Sequence, residues 1–302
     1  MKCHPKLLLG TVQFGMRYGV RPGRYKPPVA KEVASILSDA AAAGITGLDT
    51  AFEYGLSEEM IGELKPEGWT PRIITKTPKL RTGNLFPSSA RLVKAAYAIS
   101  CELLRVESCD TLMIHDPDLL AQPGSGHVCD VLNELKHSGA ISKIGISIYN
   151  ACQLQVASGK LDFDVIQLPL SLADQRLLLD GTLEQLAGAG VEVHVRSAFL
   201  QGALLMLPDE LPSGMAGLVP SIDELNSRAR DADCTPLHAL LRFALDLKDV
   251  SAVVCGVNMA SQLRELCELS VTELATGFNT SPLPIADETL LNPATWSTRI
   301  KI

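Results

Sequence analysis

The chain has 302 residues, 46% of them hydrophobic and 20% charged, so an ample core can form and disorder is not expected except at the ends. Its net charge is -7, with 27 Lys+Arg against 34 Asp+Glu and no basic run, which disfavours binding nucleic acid through its phosphates. No apolar stretch approaches the roughly eighteen residues of a membrane span, and Leu7-Leu8-Leu9 behind the basic N-terminus is too short for a secretory core. A cytoplasmic protein with a small-molecule partner is therefore expected, with no membrane or nucleic-acid role and its oligomeric state open.

Taken in chain order, strand-like runs span Leu7 to Val12, Gly47 to Asp49, Arg72 to Lys76, Thr111 to His115, Lys143 to Ser147, Phe163 to Leu168, Glu192 to Arg196 and Ser251 to Cys255. Between them lie helical patterns: Val29 to Ala43, with Val33, Ile36, Leu37 and Ala40 on one face, then Ala90 to Leu104, Val128 to His137 and Pro236 to Leu247. Eight strands alternating with helices predict an α/β fold, a (β/α)8 TIM barrel. Gly44 and Gly190 stand where helices end in a left-handed cap, and Asn150 and Asp174 are placed to cap helices after the fifth and sixth strands. Met206 to Ile222, rich in Pro and Gly, reads as a long loop. Residues from about 272 to 302, with Pro282, Pro284 and Pro293, read as a C-terminal tail over the active-site mouth of a single domain, 1–302, with a simply frayed end as the alternative. The eight cysteines include no C-x-x-C pair, so no metal site is signalled; they are expected reduced and buried.

Polar residues close several of the apolar runs. Asp49 follows Thr46-Gly47-Leu48, Lys76 follows Ile73-Ile74-Thr75, and His115 follows Leu112-Met113-Ile114, while Tyr54 lies five residues beyond Asp49. In a parallel barrel the C-terminal ends of the strands converge on one mouth, where catalytic groups gather. A phenol with an ordinary pKa of about 10 needs a nearby cation to work as an acid and base at neutral pH, and a carboxylate fixes that cation. An imidazole then donates to a substrate oxygen. The set suits carbonyl chemistry better than hydrolysis.

The segment from Gly47 to Glu58, GLDTAFEYGLSE, resembles the signature of the aldo-keto reductase superfamily, and Ile74-Thr75-Lys76 and Asp110 to His115 resemble its lysine and histidine segments. The likeness runs from Leu9 to about residue 270. It implies an NADPH-dependent reductase, NAD(H) being possible, whose catalytic tetrad is matched by Asp49, Tyr54, Lys76 and His115. Tyr54 would protonate the carbonyl oxygen as hydride arrives, Lys76 held by Asp49 would lower the Tyr54 pKa, and His115 would orient the carbonyl.

The same resemblance implies the cofactor residues. Gly10 and Thr11, with Gln13-Phe14-Gly15, are similar to the family's first strand. Ser147 and Gln167 match the residues that face the nicotinamide amide. Ser197 to Gly202, including Phe199, matches the loop that covers the pyrophosphate. Gly256, Asn258 and the helix through Gln262 match the adenosine end, where Arg264 is the nearby basic candidate for a 2'-phosphate.

Three departures stand beside the tetrad. Ile148 replaces a common Asn, Asn258 and Leu266 replace the usual basic residue and Asn, and Arg196 replaces the aromatic that stacks on the nicotinamide. Arg196 can itself stack, or pair with an anionic or sugar-derived substrate, or with an Asp or Glu of the chain. Thr11 to Val20 and Arg196 to Gly202 resemble a bacterial branch of the family associated with polysaccharide or secondary-metabolite pathways, which implies a sugar-like or small aldehyde or ketone as substrate. The aromatic pocket the family builds for hydrophobic substrates is not expected in a chain with 5% aromatic residues. Substrate choice is expected to lie in Tyr18 to Pro28, Arg81 to Ser88, Asp116 to Gly126, Met206 to Ile222 and the tail. Nicotinamide-assisted dehydration or epimerisation without net redox, and a non-catalytic nucleotide-binding subunit, are the alternatives.

Overall fold

Eight parallel strands close into a barrel in sequence order, β1 Leu7–Gly10, β2 Gly47–Asp49, β3 Arg72–Lys76, β4 Cys109–Ile114, β5 Ile141–Ser147, β6 Val165–Pro169, β7 Glu192–Arg196 and β8 Ala252–Gly256. The barrel is seen in a computed structural model that describes residues 2–20, 26–80, 83–285, 287–293 and 296. Of the expected specificity segments, residues 21–25, 81–82, 286, 294–295 and 297–302 lie outside the described residues.

Most strand residues are buried, so the strands read as continuous apolar runs rather than alternating ones. Leu8, Ile74, Met113, Val165 and Ala252 fill the barrel's interior as one cluster, and a larger cluster packs between strands and helices. The helices are α1 Val12–Gly15, a short turn at the mouth, and α2 Ala30–Ala43, α3 Ser57–Leu64, α4 Pro87–Leu104, α5 Gly126–His137, α6 Ala151–Ser158, α7 Arg176–Leu179, α8 Thr182–Gly188, α9 Val219–Asp231, α10 Pro236–Asp246 and α11 Ala260–Val271 among the described residues. Gly44, at φ 78°, ends α2 in the left-handed cap, and the Asn150 side chain accepts from the Gln153 amide to start α6. No helix among the described residues is long and apolar enough to cross a membrane.

Several expectations are corrected. β1 stops at Gly10, because Thr11 turns the chain into α1, so Gln13 to Gly15 are helical. Asp174 caps nothing: its carboxylate takes both forks of Arg176, at 2.8 Å each, and Gln175 is the N-cap of α7. Met206 to Ile222 is largely 3-10 turns followed by the start of α9, whose Pro220 stands in the first turn, where a missing N–H costs no hydrogen bond. Cys152 is exposed and Cys3, Cys101 and Cys234 are half-buried, so only Cys109, Cys129, Cys255 and Cys267 fit the buried reading.

The tail braces the mouth from its side. Leu283 donates its amide to Leu172 O at 2.9 Å, Thr280 O accepts from Gln175 Nε2 at 2.8 Å, and Pro284 O accepts from Ser221 Oγ. It thus fixes the segments after β6 and β7, and none of its described residues lines the cavity at the mouth.

Candidate active site

The ends of β2 and β3 bring Asp49 and Lys76 together. Lys76 Nζ donates to Asp49 Oδ1 at 2.7 Å and to the Thr50 carbonyl at 2.8 Å, with both side chains almost wholly removed from water. Gln167 on β6 reaches across the mouth and donates to Asp49 Oδ2 at 2.7 Å. A buried carboxylate is tolerable only when paired in this way.

Tyr54 is set by the chain between β2 and α3. Ser57 Oγ donates toward Thr11, whose own hydroxyl donates to Asp49 O at 2.9 Å, so the end of β1 is tied to this turn. Gly15 and Gly55 let the two backbones touch. A Cβ on Gly15 would lie 1.7 Å from Tyr54 O, and Gly55, at φ 58°, would carry one 2.4 Å from Gly15 O. The result places the Tyr54 ring with Lys76 Nζ 5.1 Å from its centre and the His115 ring edge-on at 5.7 Å.

Burial, then the Asp49 carboxylate, holds the Tyr54 phenol above its ordinary pKa, and Arg196 is the cation that opposes them. Lys76, whose ammonium is held by Asp49 at 2.7 Å, stands over the same ring. No hydrogen bond joins Tyr54 to Lys76 among the described residues, although the ammonium's third N–H has no acceptor there. Burial, Lys76, Lys79 and Arg196 push His115 down to about 3, so its imidazole is neutral in ordinary buffers. Its Nδ1 is buried without a partner among the described residues.

Beside this group opens a cavity of about 330 Å³. Its lining holds Asp49, Tyr54 and, of the expected cofactor residues, Gly10, Thr11, Gln167, Arg196, Ser197, Phe199, Gly202, Gly256, Asn258 and Gln262. The bare Cα of Gly256 admits the Gln13 carboxamide, whose Oε1 is buried and unpartnered; a Cβ there would lie 2.3 Å from it. Ser197, Leu200 and Gln201 take positive φ without being glycine, a strained loop held in part by the bond from Val20 N to Gln201 O at 3.4 Å. Glycine-bare walls and the unsatisfied Gln13 Oε1 suit a polar, elongated ligand such as a dinucleotide.

Two expected cofactor residues are not in this lining. Ser147 is buried at the end of β5, and Arg264 turns away to Asp39 of α2, donating at 2.8 Å. At the start of α11, Gln262 Oε1 accepts from the Asn258 amide at 2.8 Å, and Glu32 Oε1 accepts from the Ala260 amide at 2.7 Å. A carboxylate thus already occupies that helix N-terminus.

Arg196 pairs with no Asp or Glu among the described residues. Its guanidinium stacks on Tyr149, 4.1 Å from the ring centre, and donates to Ile148 O at 2.9 Å and toward Ser197 Oγ at 3.4 Å. Tyr149 and the cavity residue Glu265 were not singled out from sequence; the adjacency of Tyr149 to Ile148 was the available signal for the first.

The model of the Aldo/keto reductase family matches residues 6–278. The chain is 29% identical over 172 residues to Oxidoreductase YdhF of Escherichia coli (strain K12), covering 52% of this chain and 57% of that one. It is also 29% identical over 163 residues to the 6-dehydroglucose reductase of Novosphingobium aromaticivorans, covering 50% and 51%. It thus spans little more than half the length of these curated relatives. Its fold is that of the holo form of aldo-keto reductase AKR11C1 from Bacillus halodurans, with a TM-score of 0.72 at 21% identity over 91% of this chain and 93% of that one.

Proposed function

The chain belongs to the aldo/keto reductase family, and from that premise we propose that it interconverts a carbonyl and an alcohol on a small sugar-like aldehyde or ketone, with a nicotinamide dinucleotide and with Tyr54 as acid and base. The observation that carries the reading is the buried Asp49–Lys76 pair beside Tyr54, with neutral His115 edge-on to the Tyr54 ring; Asp49 and Tyr54 line the cavity, and Lys76 and His115 stand behind them.

The nucleotide supplies the hydride for reduction when bound. Tyr54 Oη gives its proton to the carbonyl oxygen as that oxygen becomes an alkoxide. His115, neutral, offers one N–H to the same oxygen without competing for the proton. Arg196 and the third N–H of Lys76 offset the charge of the phenolate that remains, and water restores its proton. Cytoplasmic action belongs to this reading.

The sugar-like class is supported by a polar lining that includes Gln13, Tyr18 and Gln201, and by the substrate named for the Novosphingobium relative. The family resemblance pointed to NADP(H). Arg264 held by Asp39, Glu32 on the α11 amide and Glu265 in the lining support NAD(H) instead, because a 2'-phosphate would meet carboxylates there. Titration with both reduced nucleotides, followed by nucleotide oxidation against a panel of sugar-derived aldehydes, tests both statements. Stoichiometric oxidation with alcohol formation is expected; product formed at constant nucleotide absorbance would assign a reaction without net redox.

A further inference from the structure

Arg196 is the one cation lining the cavity among the described residues, and no carboxylate of those residues neutralises it. A half-buried guanidinium without a counter-charge is a costly arrangement unless a ligand completes it. The protein holds this one rigidly: Tyr149 covers a face, while Ile148 O and Ser197 Oγ take two of its five N–H groups. The remaining donors form part of a planar fork suited to an oxyanion.

The placement favours the reacting end. Arg196 lines the same cavity as Tyr54 and Tyr18, and its charge acts on both and on His115. Lys79 adds to the same field at His115, with Glu53 beside it accepting from the Lys79 amide at 3.1 Å, and Lys76 is matched by Asp49. The lining also holds the carboxylates Asp49, which is paired with Lys76, and Glu265 on α11, so Arg196 is a local positive charge within a chain of net charge -7. A neutral sugar hydroxyl can accept from the guanidinium but leaves its charge unmatched, whereas an oxyanion meets both the charge and the planar fork.

We propose that the substrate carries an oxyanion, a carboxylate or a phosphate, near its reducible carbonyl, and that Arg196 binds that oxyanion while Tyr54 and His115 address the carbonyl. The inference rests on the carbonyl reductase reading and narrows its substrate class.

Matched probes test it: succinic semialdehyde against its terminal amide, and glyceraldehyde 3-phosphate against glyceraldehyde, each followed by oxidation of NADH and, separately, of NADPH. The wild-type protein is expected to favour the charged member of at least one pair by about 10- to 100-fold in kcat/KM. Which pair shows the preference separates carboxylate from phosphate. Arg196→Gln should bring that ratio near one, and Arg196→Lys, which keeps charge without the fork, should retain part of it.

A preference for both neutral members, or a ratio that survives Arg196→Gln, overturns the proposal. So does an NADH affinity lost in Arg196→Gln with the ratio intact, which would give the guanidinium to the nucleotide. Should the variant fail to fold, inhibition of the wild type by succinate but not succinamide keeps the test. Absence of nucleotide oxidation with every carbonyl would refute the reductase reading itself; calorimetric titration of succinate and inorganic phosphate into the NAD-saturated protein would then decide the oxyanion site, with silence from both overturning it.

Discussion

Gln167 Nε2 donates to Asp49 Oδ2 across the barrel mouth, 2.7 Å apart and 118 positions apart in the chain. With Lys76 on the other oxygen, both lobes of a buried carboxylate are occupied, and the side chain that fixes Lys76 is itself fixed from β6. A residue expected to hold the nicotinamide amide is thus also part of the frame around the acid.

Gln167→Leu should therefore act on the empty protein as well as on nucleotide binding. It leaves Asp49 Oδ2 buried without a donor, at a cost of about 1–3 kcal/mol in stability. Urea denaturation without nucleotide measures it. An unchanged midpoint would mean water replaces the amide freely, and the cross-barrel bond would carry no structural weight.

Tyr54→Phe removes the acid while keeping the ring against His115 and Lys76. Turnover should fall by about 10²- to 10⁴-fold with nucleotide affinity little changed. Lys76→Met should fall further in stability than in binding, because Asp49 would be buried with a missing counter-charge, a loss of about 3–5 kcal/mol. Retained turnover in Tyr54→Phe would remove Tyr54 from the chemistry.

Asp49, Lys76 and His115 were legible because a parallel barrel sends every strand end to one mouth, so polar residues closing apolar runs are brought together by topology alone. The eight strands were legible for the same reason, within a few residues at each boundary. Pairings between distant elements were not. Nothing in the order of residues aims Gln167 at Asp49, stacks Arg196 on Tyr149 or turns Arg264 toward Asp39, 225 positions away. Pro208, Pro212 and Pro220 were read as loop, whereas they open short turns and a helix, since proline marks helix starts as readily as breaks.

Gly15→Ala tests how closely Tyr54 is positioned. The added methyl would sit 1.7 Å from Tyr54 O and 2.6 Å from Leu56 N, both backbone atoms, so the turn must move rather than a side chain. A shift of that kind at an acid can cost about 10²-fold in rate. Expected is a loss of kcat well beyond the loss of thermal stability, seen by assay and denaturation on one preparation. Equal kcat would show that the turn does not set the phenol.

Arg264→Ala should leave both reduced nucleotides bound as before, within about twofold, and cost at most about 1 kcal/mol for an exposed pair with Asp39. Fluorescence titration with NADH and NADPH reads this directly. A selective weakening of NADPH would mean that Arg264 leaves Asp39 for the 2'-phosphate, and the preference for NAD(H) would fall.

The pH profile of carbonyl reduction follows from the two aromatic acids. Reduction needs Tyr54 protonated, so its rate is lost as pH rises through the Tyr54 pKa; burial and Asp49 raise that pKa above its usual value of about 10, placing the alkaline limb beyond the neutral range. His115, pushed down to about 3, gains its proton only at the acid extreme and contributes no limb between about pH 5 and pH 8. The kcat/KM for a carbonyl of constant ionisation should accordingly be flat from about pH 5 to about pH 9. A break near 6.5 that disappears in His115→Gln would show an imidazole titrating at its ordinary value, with water reaching a ring that the structure keeps from it.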